Sequence, residues 1–262
     1  MSDLQVHQFR CRSDNYGYLL HEPVTGATAA IDTPETGAVL AALEQTGWRL
    51  SHILNTHHHY DHVEGNLELK AREGCTIIGG ARHAEKIPGI DRRVSEGDVV
   101  EFGTQHLRVL ETPGHTLGHV VYVTDAPQAD EASPLAFTGD TLFSLGCGRL
   151  FEGTPQQMWD SLQKLMRLPP ETLIYCAHEY SLGNAEFALE IEPGNEALQQ
   201  MAERIRTQTR ARRPTVPTRL VEELAANPFL RPSSAAIRKR LNMDAAADWE
   251  VFAEIRRRKD AF

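Results

Sequence analysis

At 262 residues, with 41% hydrophobic and 24% charged side chains, the chain has the composition of a soluble globular protein of one large domain, or one domain with an appendage. No apolar run approaches the roughly 20 residues that a membrane-spanning helix needs, and residues 1–18 lack the basic-then-apolar order of a secretory signal. The net charge of −9 fits poorly with nucleic acid as a partner. It also hides an asymmetry: residues 201–262 hold 14 Lys/Arg against 8 Asp/Glu, whereas residues 1–200 hold 13 against 28. An acidic body with a basic end predicts that the end meets something anionic, although a solvated helical surface accounts for most of those arginines. Cys11, Cys75, Cys147 and Cys176 are far apart with no C-x-x-C pair. They read as reduced thiols of a cytoplasmic protein.

In chain order, residues 4–9, 16–21 and 27–31 alternate as strands, separated by polar and Pro/Gly turns. A helix is expected over 34–45, with Pro34 near its first turn and Gly47 past its end. A short buried strand, 50–55, leads into Thr56-His57-His58-His59-Tyr60-Asp61-His62. A helix over 63–73 and a strand over 75–78 follow. Residues 98–124 are strand-like around the turn Pro113-Gly114-His115, and 135–138 form a strand ending at Gly139-Asp140. Met158, Leu162, Leu165 and Met166 recur at helical spacing. The strand 172–176 delivers Ala177-His178-Glu179-Tyr180. From Gly183 onward helical periodicity dominates, broken at Pro193, at residues 213–217 and at Asn227-Pro228. The change of texture places a domain boundary near 178, giving units 1–178 and 179–262.

The histidine run carries the chemistry. In extended chain, residues i, i+2 and i+4 share a side, so His57, His59 and Asp61 are expected to face one cavity while His58 and Tyr60 face away. His62 then turns inward. Imidazoles plus a carboxylate, without cysteine, suit zinc or a neighbouring divalent metal. His115, Asp140 and His178 each stand where an expected strand ends. Seven ligands suit two ions if one carboxylate bridges them: three histidines for one, an aspartate and two histidines for the other. Structural zinc is disfavoured, because such sites are typically closed and cysteine-rich.

The segments T-H-H-H-Y-D-H (56–62), P-G-H-T-L-G-H (113–119), F-T-G-D-T-L-F (137–143) and A-H-E-Y (177–180) resemble the metallo-β-lactamase superfamily. Gly146-Cys147-Gly148-Arg149, Asn227-Pro228-Phe229-Leu230-Arg231 and Arg256-Arg257-Arg258-Lys259-Asp260 narrow the resemblance to the hydroxyacylglutathione hydrolase (glyoxalase II) family, over nearly the whole chain. It implies an α+β fold, a four-layered αββα sandwich (1–178) followed by a helical C-terminal substrate-binding domain (179–262). It assigns His57, His59 and His115 to a first metal and Asp61, His62 and His178 to a second, with Asp140 bridging. It also implies Asp32 and Cys147 as partners of the ligands, and Arg149, Tyr180, Arg256 and Lys259 as contacts to glutathione. His58 and His119 belong to the motif without being ligands. Phe151 departs from a tyrosine common in the family.

The implied reaction is hydrolysis of an S-(2-hydroxyacyl)glutathione, such as S-D-lactoylglutathione, to glutathione and a 2-hydroxy acid, the second step of methylglyoxal detoxification. Two ions about 3.5–4 Å apart can hold a bridging hydroxide at neutral pH, with Asp61 and Asp140 as the catalytic carboxylates. The metals are expected to be zinc, with iron or manganese as alternatives, and the enzyme a monomer acting on a small molecule, with no membrane partner. Trp249, Phe252 and Ile255 are expected to pack the last helix down and aim Arg256 and Lys259 at the site. A persulfide dioxygenase type of oxidoreductase, with one iron held by two histidines and an aspartate, is the competing enzyme class. A lactonase or nuclease of the same fold and a non-catalytic metal-binding module are further alternatives.

Overall fold

The computed structural model describes residues 4–124 and 133–262. A first six-stranded sheet, in spatial order β1 to β6, is formed by β1 (Gln5–Cys11), β2 (Asn15–Glu22), β3 (Ala27–Ile31), β4 (His52–Leu54), β5 (Thr76–Gly80) and β6 (Arg92–Val94). The first three strands pair antiparallel; β3 to β6 run parallel. Helices α1 (Thr36–Thr46), α2 (Tyr60–Val63) and α3 (Asn66–Glu73) lie within those parallel crossovers. A second sheet has the order β14-β13-β10-β9-β8-β7, from β7 (Val99–Phe102), β8 (Gln105–Glu111), β9 (Val120–Thr124), β10 (Leu135–Gly139), β13 (Leu173–Cys176) and β14 (Thr218–Arg219). Between β10 and β13 come the hairpin β11 (Leu142–Phe143) and β12 (Gly146–Cys147) and helix α4 (Pro155–Met166). The chain ends in α5 (Ser181–Ile191), α6 (Glu196–Arg210), α7 (Leu220–Ala226), α8 (Ala235–Leu241) and α9 (Asp248–Ala261).

The alternation of β2 shows why four layers form. Tyr16, Tyr18 and Leu20 face the second sheet, where Val109, Tyr122 and Phe137 meet them. Leu19 points the other way, into an outer core with Val39, Leu43 and Leu69 under α1 and α3. A strand buried on both faces reads as apolar throughout. On the far side of the second sheet, Val121, Val123 and Ile174 pack under Met158 and Leu162 of α4 and Phe252 and Ile255 of α9. The αββα sandwich with a helical C-terminal segment is the fold expected from the sequence.

Several local expectations need correction. The helix expected over 63–73 is two pieces, because Gly65 donates its N–H to Thr33 O at 3.0 Å and lies so close to Thr33 that a Cβ would crowd it. Tyr60 starts α2, so Asp61 sits in a helical turn, not in extended chain beside His59. In α9, Val251 is buried with Phe252 and Ile255, while Trp249 is 37% exposed and does not serve as the third anchor. Strands β6, β11, β12 and β14 are too short to leave a periodic signal. β14 joins the sandwich from the helical segment, pairing Thr218 with Ile174.

Candidate metal centre

All the candidate ligands except Asp61 and His62 sit in loops just past strand ends, along one edge where the two sheets meet. The loop after β4 delivers His57 and His59, and α2 carries Asp61 and His62. The loop between β8 and β9 carries His115, the turn after β10 carries Asp140, and the exit from β13 carries His178. Gly139 adopts a left-handed φ of +48°, and a Cβ there would meet Thr56 Oγ1 and His119 Nε2. Only glycine turns the chain tightly enough to bring Asp140 in. A Cβ on Gly148 would collide with Asp140 O and crowd His115.

Two groups of atoms converge. His57 Nε2 and His115 Nε2 each lie 3.0 Å from His59 Nδ1. Asp140 Oδ2 lies 3.4 Å from His115 Nε2. On the other side, Asp140 Oδ1 lies 3.5 Å from His62 Nε2 and 3.4 Å from His178 Nε2. Asp61 Oδ2 lies 3.5 Å from each of the same two nitrogens. The two oxygens of Asp140 therefore face different groups: His57, His59 and His115 on one side, Asp61, His62 and His178 on the other.

The outward nitrogens are committed elsewhere. His62 Nδ1 donates to Asp32 Oδ2 (2.8 Å), His178 Nδ1 to Asp14 Oδ1 (2.9 Å) and His115 Nδ1 to Arg149 O (2.9 Å). His57 Nδ1 lies 3.1 Å from Thr56 Oγ1, which itself donates to Asp32. These bonds hold the imidazoles in place and turn each Nε2 toward the centre. His62 Nε2 and Asp140 Oδ1 are buried without a hydrogen-bond partner. Orphaned buried atoms of this kind are costly unless something binds them, so the residues fit a pair of divalent cations.

The electrostatics agree. Burial would raise the Asp140 carboxyl, but His178, His62 and His115 hold it well below the usual carboxylate range. Burial would lower His178, yet Asp140, Asp14 and Asp61 lift it to about 9. His62 is raised in the same way, against burial, chiefly by Asp32 and Asp140. His59 goes the other way, down to about 4, from burial and the neighbouring His115 and His58. In the group of three histidines the lone pairs are thus available at neutral pH, and in the other group the carboxylates attract positive charge.

Of the residues expected to support the ligands, Asp32 accepts from His62 Nδ1 and from Thr56 Oγ1, each at 2.8 Å. The Cys147 thiol lies near Gly148 O and 3.8 Å from Arg256, and burial pushes it up to about 11. Tyr180 stacks on His178 with ring centroids 4.8 Å apart. Arg149 is exposed, with Nε 3.7 Å from Asp260. Lys259 lies over the Phe187 and Phe262 rings and donates to Gly183 O at 2.9 Å. Arg256, expected to point at substrate, is buried; it donates to Cys147 O (2.7 Å) and pairs with Asp260 (2.9 Å). Phe151 is exposed with its ring against those of His59 and His115. His119 Nε2 accepts the Asp140 N–H at 3.0 Å. Sequence reasoning missed Asp14, and it missed Asn15, which donates to Asp61 Oδ2 at 3.0 Å. Their signal was a polar pair at the entry to β2, where the family resemblance begins.

The family model for the metallo-β-lactamase superfamily matches residues 17–178, and that for the hydroxyacylglutathione hydrolase C-terminus matches residues 179–262. A hydroxyacylglutathione hydrolase from Chelativorans sp. (strain BNC1) is 56% identical over 99% of each chain. Among solved structures, ETHE1 from Myxococcus xanthus aligns with a TM-score of 0.66 at 25% identity, covering 98% of this chain and 99% of the other. TTHA1623, solved in a di-iron-bound form, aligns with a TM-score of 0.51 at 29% identity over 63% of this chain and 87% of its own. By full-length identity and by both family models, the chain belongs to the hydroxyacylglutathione hydrolase family of the metallo-β-lactamase superfamily.

Proposed function

We propose that this chain is a metal-dependent hydrolase that cleaves the thioester of S-(2-hydroxyacyl)glutathione, such as S-D-lactoylglutathione, giving glutathione and a 2-hydroxy acid in methylglyoxal detoxification. The observation that carries this reading is Asp140, whose two oxygens face two separate ligand groups in a chain that matches hydroxyacylglutathione hydrolases end to end. His57, His59 and His115 would hold one ion and Asp61, His62 and His178 the other, with Asp140 placed between the two groups. Zinc suits this nitrogen and oxygen set, and iron or manganese could replace it according to supply. Bound there, two such ions would supply Lewis acidity for the thioester carbonyl and a water acidic enough to act as nucleophile at neutral pH.

The protein's own part is positioning. Asp32, Asp14, Thr56 and the Arg149 carbonyl hold the imidazoles in place, so little reorganisation is needed during reaction. Asn15 orients Asp61, whose exposed edge can receive a proton. A thiolate leaves readily, so no separate acid is required. Arg149, Tyr180 and Lys259 are proposed to receive the glutathione moiety, with residues 1–178 carrying the chemistry and 179–262 contributing substrate contacts. Arg256 would act mainly by holding Cys147 and Asp260, and so the backbone beside Arg149. Four buried free thiols suit a cytoplasmic setting, and among the described residues no helix is long and apolar enough to cross a membrane. The oxidoreductase alternative is not favoured, because Asp61, His62 and His178 form a complete second group. The test is S-D-lactoylglutathione hydrolysis by protein of measured metal content, before and after chelation. Fully loaded protein that leaves the thioester intact would refute the reading.

A further inference from the structure

We propose that His58, His83 and Glu152 form a third metal-binding site, for a borderline divalent ion such as Zn2+, on the outer side of the histidine run. The three residues come from separate segments: the loop after β4, the turn after β5 and the stretch behind the β11–β12 hairpin. One ligand-capable atom from each lies within 4.8 Å of the others. The His58 ring meets that of His59 edge-on at 5.3 Å, yet this group shares no residue with the two groups of the candidate binuclear centre.

The spacing favours an ion over direct hydrogen bonds. His58 Nε2 is 3.4 Å from Glu152 Oε1, and His83 Nδ1 is 3.4 Å from Glu152 Oε2. Good hydrogen bonds between such atoms are shorter, about 2.7–3.2 Å. Tetrahedral zinc with bonds of about 2.0–2.2 Å sets neighbouring ligand atoms about 3.3–3.6 Å apart. The same 3.4–3.5 Å spacing recurs between Asp140 and the histidines around it. Two imidazoles and a carboxylate without thiolate suit Zn2+, with water completing the shell.

The place already attracts a cation. Lys86 Nζ lies 3.3 Å from both Glu152 Oε1 and His83 Nδ1. Its side chain is 44% exposed, so the ammonium can swing into water when an ion takes its position. The lysine therefore competes with metal and makes the site weaker than the binuclear one. Glu152 also accepts the Leu117 N–H at 2.7 Å, in the loop that carries His115. An ion here would tie that loop to the histidine run and raise thermal stability by binding the folded state.

The proposal needs no thioesterase activity, although its count of a third equivalent rests on the two-ion reading of the neighbouring centre; the equivalent lost in His83→Asn marks the new site separately. Protein carrying two equivalents of zinc and freed of excess is titrated with Zn2+ by calorimetry, beside Lys86→Met and His83→Asn. Asparagine tolerates the left-handed φ of +62° at position 83, so that variant should fold and keep its first two equivalents. We expect a third equivalent in the wild type, binding at least about fivefold tighter in K86M and absent in H83N. Uptake that stops at two in both wild type and K86M overturns the proposal, as does a third equivalent that survives His83→Asn.

Discussion

The ligand groups and the cations proposed to bind glutathione lie on one face but are built differently. His57, His62, His115, Asp140 and His178 are buried, and each histidine has its second nitrogen held by another residue. Arg149 by contrast is 64% exposed and lies 3.7 Å from the edge of Asp260, while Lys259 rests between two aromatic rings. Ligands must converge within tenths of an ångström, and that precision requires a rigid supporting set. A flexible anionic tripeptide asks less, because long cationic side chains can follow it at the cost of side-chain entropy. Substitutions on the two sides should therefore fail in different ways.

The largest effect is expected from Asp140→Asn, which removes the charge shared by both groups. Thioester hydrolysis should fall on the order of 10³-fold, about 4 kcal/mol of transition-state stabilisation, together with loss of bound metal. Full metal content with normal turnover would break the proposed assignment. Next is Asp32→Ala, which frees His62 Nδ1 and the Thr56 hydroxyl. Metal affinity should drop about 10- to 100-fold, read by competition with a chelator, and added metal should restore kcat. A lower kcat at saturating metal would show that Asp32 does more than orient.

Lys259→Met tests the other side. It should raise KM about tenfold while leaving kcat and metal content nearly unchanged. Burial, with Arg256 and Arg149 nearby, brings the Lys259 ammonium down to about 8. Its charge is present below that pH and lost above it, so KM for the anionic substrate should climb as pH rises through about 8. In Lys259→Arg the climb should vanish, since a guanidinium does not titrate there; an unchanged profile would remove Lys259 from substrate binding.

The smallest effect on activity is expected at the joint between the two regions. Glu223 of α7 is fully buried, and its Oε2 accepts from Leu145 N (2.9 Å) and Asn227 Nδ2 (3.0 Å). Burial raises its carboxyl from 4.5 to about 7. A folded-state value above the unfolded one means that the native state keeps the proton longer. Stability from this group is whole below about 4.5 and falls as pH rises to about 7, by at most about 3 kcal/mol. Glu223→Gln should remove that part of the slope from a denaturation series while leaving turnover intact. Equal slopes in both proteins would count against the buried acid.

Much of this was legible before any coordinates. The motif spacing names His57, His59, Asp61 and His62, and turn residues at strand ends pick out His115, Asp140 and His178, because sharp turns expose side chains where sheets stop. Periodicity of 2 and 3.6 locates the long strands and α4. Two-residue strands such as β14 are too short for either period, and the split between α2 and α3 arises from Gly65 bonding to Thr33, far away in sequence.

By itself, then, the sequence determined the inventory of candidate ligands and the presence of a basic end, since these follow from side-chain chemistry and turns at strand ends, while the layer order came with the family resemblance that the motifs carry. Tertiary structure alone decided which oxygen of Asp140 faces which group, that Asp14 and Asn15 hold His178 and Asp61, and that Arg256 is buried against Cys147 while Arg149 stays exposed beside Asp260. It also brought His58, His83 and Glu152 together from three loops. Such pairings depend on contacts between residues 25 to more than 160 positions apart, and long-range proximity leaves no periodic trace in the chain.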